Sequence, residues 1–133
     1  MSDDGIETLI AGAESVVWSR LVGKRRFGDV GCALRTDAGN VYRGVCIDTH
    51  SGTGFCAEHA AIAAMVTAGE QRIEMIVAVW KGDDGRTVIL PPCGICREFI
   101  RQVDGANLDT DVVLSRGRVV KLRELLPFHE WPK

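Results

Sequence analysis

Two cysteine motifs stand at junctions where a strand-like segment gives way to a helix-like one. The first, Cys56-Ala57-Glu58, follows a polar, glycine-containing loop and opens an alanine-rich run that stops near Gly69. The second, Cys93-Gly94-Ile95-Cys96, follows an apolar run and two prolines. Amides at a helix N-terminus are unpaired and carry partial positive charge, which favours thiolate over thiol. We therefore expect both motifs to lie at helix N-termini, where they can form one site.

The remaining apolar patterns predict an α/β chain with a single domain over residues 1–133. Helical spacing predicts a first helix that begins after Ser2-Asp3-Asp4 and reaches Leu21. The run at 74–80 is apolar almost throughout and predicts a central buried strand. Strands are predicted in chain order at residues 29–36, 40–47, 74–80, 87–90, 111–114 and 118–122.

Composition argues against several classes of function. The net charge is −2, so the chain lacks the basic character that binding to a nucleic-acid polymer needs. No apolar run is long enough to span a bilayer, and the first residues are acidic where a signal peptide is basic. We expect a cytoplasmic protein, in which the five cysteines stay reduced.

Three cysteines and one glutamate supply the groups that a catalytic zinc site needs. Cys93 and Cys96 lie three residues apart on a helical turn and can share a metal with Cys56. Three protein ligands would leave the fourth zinc position open to water, as in catalytic rather than structural sites. Glu58 lies in the first turn beside Cys56 and can move protons. This set suits a hydrolysis that replaces an exocyclic amine by oxygen.

Other interpretations of these cysteines remain open at this point. A Cys-x-x-Cys pair is also typical of thioredoxin-like redox sites, although Cys93 follows a proline and lies two-thirds along the chain. A structural zinc site would take Cys32 or Cys46 as its fourth ligand. Otherwise these two cysteines are small buried apolar residues on strands.

Together and in this order, the motifs resemble the cytidine deaminase superfamily, in its short homotetrameric branch. The matching segments are "CAE" at 56–58, "PCGICRE" at 92–98, the strand pair at 30–45 and "RELLP" at 123–127. The resemblance implies a three-layer α/β/α sandwich around a mixed, roughly five-stranded sheet. It also implies a homotetramer or a dimer that acts on a small molecule.

The resemblance also assigns the central site residues. Zn²⁺ would be held by Cys56, Cys93 and Cys96, and Glu58 would be the proton shuttle, as in zinc deaminases generally. The backbone of Ala57 would meet the carbonyl of a pyrimidine. The turn around Pro91 and Pro92 would face the departing amine.

The segment that matches the sugar pocket departs from the family. Ordinary cytidine deaminases hold the ribose with an Asn-Val-Glu-Asn-like stretch, where this chain reads Cys-Ile-Asp-Thr at 46–49, so that only Asp48 keeps an acceptor. They also carry a phenylalanine where this chain has Gly28, with Phe27 beside it. In these details the chain resembles the blasticidin S deaminases, which have an aromatic residue matching Phe27 and a short tail ending near a tryptophan, here Trp131. Phe27, Asp48 and Trp131 are therefore predicted to bind substrate; the alternatives are a loop-capping role for Asp48 and subunit packing for Trp131.

The resemblance implies a zinc-dependent aminohydrolase that acts on a cytosine-type nucleoside or analogue, of the cytidine or blasticidin S class, and releases ammonia. One alternative is a deaminase of free nucleobases, and another is a non-catalytic zinc-stabilised ligand-binding module. His59, where many relatives have arginine, either offsets thiolate charge when protonated or is an ordinary helix residue. His50 is a candidate ligand contact in the preceding loop.

Overall fold

A mixed sheet forms the centre of the structure, a computed structural model that describes residues 5–132. The helices are α1 (Ile6–Ser15), α2 (Ala57–Thr67), α3 (Gly94–Val103) and α4 (Leu122–Leu125). The strands are β1 (Arg20–Val22), β2 (Arg25–Phe27), β3 (Val30–Thr36), β4 (Val41–Val45), β5 (Ile73–Lys81), β6 (Thr87–Leu90), β7 (Asp111–Ser115) and β8 (Arg118–Lys121). Within residues 5–132, no helix combines the length and apolar character that crossing a membrane would need.

The main sheet follows the order β4-β3-β5-β7-β8, and β6 is added beside β5. The predicted α/β class and the mixed five-strand sheet are therefore confirmed, with β6 as a sixth strand. One edge of β5 pairs with β3, whereas the other edge is divided between two neighbours. Met75 and Ile76 pair in parallel with β7, while residues 78–81 pair antiparallel with β6. Because Leu90 pairs with Ala78, the chain leaves β6 beside the middle of β5, where the second cysteine motif begins.

Side-chain alternation along β5 supplies both cores of the three-layer arrangement. Met75, Val77 and Val79 pack in the cluster that includes α1, whereas Ile76 and Ala78 pack in the cluster that includes α2 and α3. All five are at most 4 % exposed. A strand that is covered on both faces needs apolar residues at consecutive positions, which explains the continuous run in the sequence.

The first helix is shorter than predicted. α1 ends at Ser15, and Leu21 lies on β1, which forms a separate two-stranded ribbon with β2. Gly23 occupies the turn of this ribbon with φ 65°, a conformation that glycine adopts without steric cost. In this ribbon the backbone of 20–22 pairs with that of 25–27. This pairing outweighs the helical spacing of the apolar residues, so the helix does not continue to Leu21. The predicted start at Ser2–Asp4 lies outside the described residues.

Candidate metal centre and active site

The two cysteine motifs begin the two helices that flank the site. Cys56 is the N-cap of α2, with extended backbone (φ −75°, ψ 160°). Cys93 is the N-cap of α3, with similar backbone angles (φ −72°, ψ 171°). Pro91 and Pro92 end β6 just before it, since proline lacks the N–H that strand pairing requires. The prediction that each motif opens a helix is confirmed.

The sulfur atoms of the two motifs meet at distances that suit a shared metal ion. Cys56 Sγ lies 3.6 Å from Cys93 Sγ. Cys96 Sγ lies 3.6 Å from His59 Nδ1, and among the described residues Cys56, His59 and Cys96 form a group whose donor atoms are all within 4.8 Å of one another. Cys93, the third predicted ligand, is not a member of this group. In a tetrahedral zinc site with Zn–S bonds of about 2.3 Å, two sulfur ligands are about 3.8 Å apart and a sulfur–nitrogen pair about 3.6 Å. This donor set therefore fits zinc.

His59 is a member of the donor cluster that the sequence did not assign. Its ring stacks on Phe99, with centroids 4.3 Å apart and planes at 14°, which keeps Nδ1 beside Cys96 Sγ. Burial lowers the pKa of His59, so the neutral ring predominates at pH 7. That observation counts against a protonated His59 as the group that offsets thiolate charge. A neutral ring can still donate an N–H to sulfur.

The thiols differ in how readily they ionise. Desolvation raises the pKa of Cys56 to about 11, and it raises the pKa of Cys96 still further, with the charge of Glu58 adding to the effect. Desolvation also opposes ionisation of Cys93, but hydrogen bonds from the Cys96 amide and the Cys56 thiol outweigh it and lower the pKa of Cys93. Thiolates this close would repel one another, so a bound dication would favour their ionisation.

Glu58 lies at the same place but is buried. Glu58 lies in the first turn of α2 and is only 6 % exposed. Desolvation raises its pKa, while hydrogen bonds from its own backbone and from Cys96 act in the opposite direction. A carboxyl group whose pKa is moved toward neutrality can both accept and return a proton at physiological pH.

A cavity of about 520 Å³ opens onto these groups. Cys56, Ala57, Glu58 and Cys93 line one part of it. Its other lining residues are Asp29, Val30, Cys46, Ile47, Asp48, Thr49, Gly52, Gly54, Phe55, Ala78, Leu90 and Pro91. The volume and the mixture of apolar walls with a few polar groups are typical of small-molecule sites.

The predicted substrate-binding residues divide into two groups. Ala57, Asp48 and Pro91 line the cavity. Phe27 lies on β2, and Trp131 is 87 % exposed beside a separate groove, so within one chain neither lines it. Substrate binding by these two residues stays a prediction.

Asp29, Cys46 and Phe55 also line the cavity, although none of them was predicted to bind substrate. Cys46 is buried, as predicted for an apolar residue, yet it also reaches the cavity. For Asp29, the feature of the sequence that could have indicated a site residue is its position directly before Val30, the first residue of β3.

The loss of the family's phenylalanine has a steric reason in this chain. Gly28 has φ 75°, and a Cβ there would lie 3.2 Å from the indole ring of Trp18. The Trp18 amide also donates to the Gly28 carbonyl at 3.1 Å. A side chain at position 28 would therefore meet the indole closely and would be strained by the positive φ.

Close packing against β4 holds α2 in place. A Cβ on Gly44 would lie 2.5 Å from Ala60 Cβ and 2.6 Å from the Ala61 amide nitrogen. The helix thus rests directly on the strand backbone, one turn beyond Glu58. Glycine at this point of β4 sets the distance between the sheet and the helix that carries Cys56 and Glu58.

Comparisons with known proteins agree with this site. A family model described as the cytidine and deoxycytidylate deaminase zinc-binding region matches residues 6–109. Blasticidin-S deaminase of Bacillus cereus is 34% identical over 105 residues, which cover 74% of this chain and 74% of that protein. Cytidine deaminase of Mycobacterium tuberculosis is 33% identical over 99 residues, which cover 74% of this chain and 69% of that protein.

Solved structures show the same fold. The crystal structure of cytidine deaminase from Mycobacterium tuberculosis superposes with a TM-score of 0.75 at 28% identity, covering 92% of this chain and 94% of that one. The corresponding values for cytidine deaminase from Burkholderia pseudomallei are 0.68 and 27%, covering 96% and 98%. The family match and the donor cluster confirm zinc as the predicted cofactor. The chain belongs to the cytidine and deoxycytidylate deaminase family and carries its zinc-binding region.

Proposed function

We propose that this chain is a zinc-dependent aminohydrolase that replaces the exocyclic amine of a cytosine-type nucleoside or nucleoside analogue with oxygen and releases ammonia. The observation that carries the proposal is the buried Glu58 with a raised pKa, placed beside clustered thiols at a cavity of small-molecule size. A binding module would gain nothing from a buried carboxylate of this kind, because desolvating it costs stability.

We assign the metal to Cys56, Cys93 and Cys96, with His59 as a hydrogen-bond donor to Cys96. If all four side chains were ligands, the tetrahedral site would be closed, as in structural zinc sites. Both Cys56 and Cys93 line the cavity together with Glu58, which is the arrangement expected of a site with an open position toward substrate. The stacking of His59 on Phe99 gives its ring a separate reason to lie where it does.

The residues of the chain then have distinct roles in the reaction. Zinc, when bound, would act as a Lewis acid and lower the pKa of a water molecule at its open position. Glu58 takes one proton from the attacking water and gives it to the ring nitrogen next to the reacting carbon. The water oxygen forms a bond to this carbon, and Glu58 transfers the second proton to the amine as its carbon–nitrogen bond breaks. Ammonia leaves, and the ring keeps a carbonyl and one added N–H.

The walls of the cavity suit a flat heterocycle. Val30, Ala78 and Leu90 contribute apolar surface next to the reacting groups. The backbone of Ala57 remains the proposed partner of the pyrimidine carbonyl, and Pro91 is proposed to face the departing amine. Burial of an aromatic ring between such walls is favourable without fixing what the ring carries on its other side.

The test is ammonia release by the zinc-loaded protein against cytidine, deoxycytidine, cytosine and blasticidin S. We expect turnover of at least one of them, and loss of turnover in Glu58→Gln with zinc content unchanged. Turnover of cytosine alone would favour the free-base alternative. Full zinc occupancy with no turnover of any compound would favour the ligand-binding module instead.

The assembly and location are also proposals. We propose a homotetramer, since Trp18, Phe128 and Trp131 leave large apolar surfaces that are 51, 101 and 87 % exposed in a single chain. Light scattering during gel filtration tests this; a monomer at micromolar concentration would contradict it. A cytoplasmic location is proposed because all five cysteines are free.

A further inference from the structure

Apart from the cysteine thiols, the ionisable groups that line the cavity are carboxyl groups. Asp29, Asp48 and Glu58 line it, and no lysine, arginine or histidine of the described residues does so. Glu58 belongs to the reacting end. Asp29 and Asp48 line the part of the cavity near the start of β3 and the end of β4. This is the region where the family's sugar-binding stretch has been lost.

Asp29 is held in a fixed orientation. Its Oδ1 accepts a hydrogen bond from Cys46 Sγ at 3.2 Å, and its Oδ2 accepts one from Trp80 Nε1 at 3.2 Å. Its backbone carbonyl accepts from the Lys81 amide at 3.0 Å. An ionised carboxylate has about four lone-pair sites, so two donors leave acceptor capacity for a ligand. The carboxylate is thus pre-organised before any ligand arrives.

Backbone hydrogen bonds bring the second carboxylate to the same region. The Cys46 amide donates to the Val30 carbonyl at 3.0 Å, and the Gly28 amide donates to the Cys46 carbonyl at 3.1 Å, so residue 46 lies beside the segment 28–30 that carries Asp29. Asp48 comes two residues later, is exposed, and makes no hydrogen bond or ion pair within residues 5–132. An acceptor that is fixed and a second that is unpaired therefore line the same cavity.

We propose that Asp29 is a specificity-determining residue which, together with Asp48, binds a protonated amine or another hydrogen-bond donor on the substrate, at the side remote from the reacting carbon. The same charges disfavour ligands that carry a phosphate there, because like charges repel and no cation compensates. This inference rests on the proposed function only in taking the Glu58 end of the cavity as the reacting end.

Equilibrium binding tests the proposal without requiring turnover. The zinc-loaded Glu58→Gln protein is titrated with 5′-amino-5′-deoxycytidine, cytidine and cytidine 5′-monophosphate. We expect the amine to bind about tenfold or more tighter than cytidine, and the phosphate to bind most weakly, since hydrogen bonds to charged groups are the strong ones. Adding Asp29→Asn should reduce the preference for the amine over cytidine by about tenfold, with a smaller change for cytidine itself.

Two control variants separate binding from structure. Asp83→Asn makes the same charge change at an exposed ion pair with Arg26, outside the cavity, and should preserve the preference. Trp80→Phe removes one donor to Asp29 but keeps its charge, and should retain most of the preference. If Asp29→Asn and Trp80→Phe weaken all three ligands equally, Asp29 is only a structural residue and the proposal fails.

Other outcomes are equally decisive. Tightest binding of the phosphate, or binding of none of the three ligands, would overturn the proposal. Turnover is measured separately in proteins that keep Glu58. A preference for the amine that depends on Asp29, in a protein that deaminates nothing, would support this inference while contradicting the proposed function.

Discussion

The contact between α2 and β4 makes Gly44→Ala the most informative single substitution. The added Cβ would lie 2.5 Å from Ala60 Cβ, whereas ordinary van der Waals contact begins at 3.4 Å. Relieving the overlap requires the helix and the strand to separate by about 1 Å. The helix N-terminus holds Cys56 and Glu58, so the separation acts directly on the site.

Two losses of different size are expected. Overpacking of this kind costs about 1–3 kcal/mol of stability, or a fall in Tm of about 4 °C for each kcal/mol in a chain of this length. A misplacement of 1 Å in catalytic groups costs about 100-fold in rate. We therefore expect kcat to fall about 100-fold at temperatures where the variant is fully folded.

Matched variants on the opposite face distinguish these effects. A Cβ on Gly31 would lie 2.3 Å from the Ala13 carbonyl oxygen, so Gly31→Ala overpacks α1 against the sheet. It should lose comparable stability but keep most of its activity, since α1 carries no proposed site residue. Gly12→Ala would place its Cβ 3.6 Å from Ala33 Cβ, an ordinary contact in a helix, and should raise stability by up to about 1 kcal/mol. If Gly44→Ala lowers Tm as Gly31→Ala does while kcat stays within about twofold of wild type, close packing on β4 does not position Glu58.

The remaining predictions concern the metal and the response to pH. Cys93→Ser should lose zinc in metal analysis, whereas His59→Phe should keep one zinc per chain. The reverse result would mean that His59, and not Cys93, is the zinc ligand. Zinc binding at pH 7 should release protons from the two thiols whose pKa values are raised, so the binding enthalpy should depend on the ionisation enthalpy of the buffer, and a buffer-independent value would contradict this. Hydrogen bonds, chiefly from Tyr42, lower the pKa of Glu70 in the folded chain, so their contribution to stability is present above the unfolded pKa of about 4.3 and is lost as pH falls through the folded value. Tyr42→Phe should therefore destabilise the protein in urea at pH 7 but have less effect near pH 3, and an equal loss at both values would exclude this linkage.

Much of the fold follows from local sequence patterns. The buried run at 74–80 predicted β5, and the strand-like segments at 29–36 and 40–47 predicted β3 and β4, because such apolar patterns act over short distances. The helical spacing from Ile6 to Leu21 predicted too long a helix, because spacing within one segment does not show that residues 20–22 can pair with another strand. That strand is 25–27, and the turn at Gly23 that brings it back is seen only in the folded ribbon.

The placement of the two cysteine motifs was predictable for a similar reason. Each motif is contiguous and opens a helix, and a helix start fixes where its first-turn side chains lie. The sequence did not reveal that His59 lies beside Cys96, because this contact depends on stacking with Phe99, which is forty residues further along. A tertiary contact selected the ring's orientation.

The substrate end of the cavity is formed by other elements than the metal end, and this explains why assignment to the family does not identify the substrate. Asp29 lines the cavity from the position directly before β3, and its carboxylate is oriented by Cys46, which follows β4, and by Trp80 on β5. None of these residues belongs to α2 or α3. Replacing Asp29 can therefore alter which substituent is accepted while the thiols and Glu58 keep their positions. Under the proposed roles, two members of the family can share one zinc centre and still act on different nucleosides, since the residue proposed to choose between substrates and the residues proposed to perform the chemistry are held by separate elements.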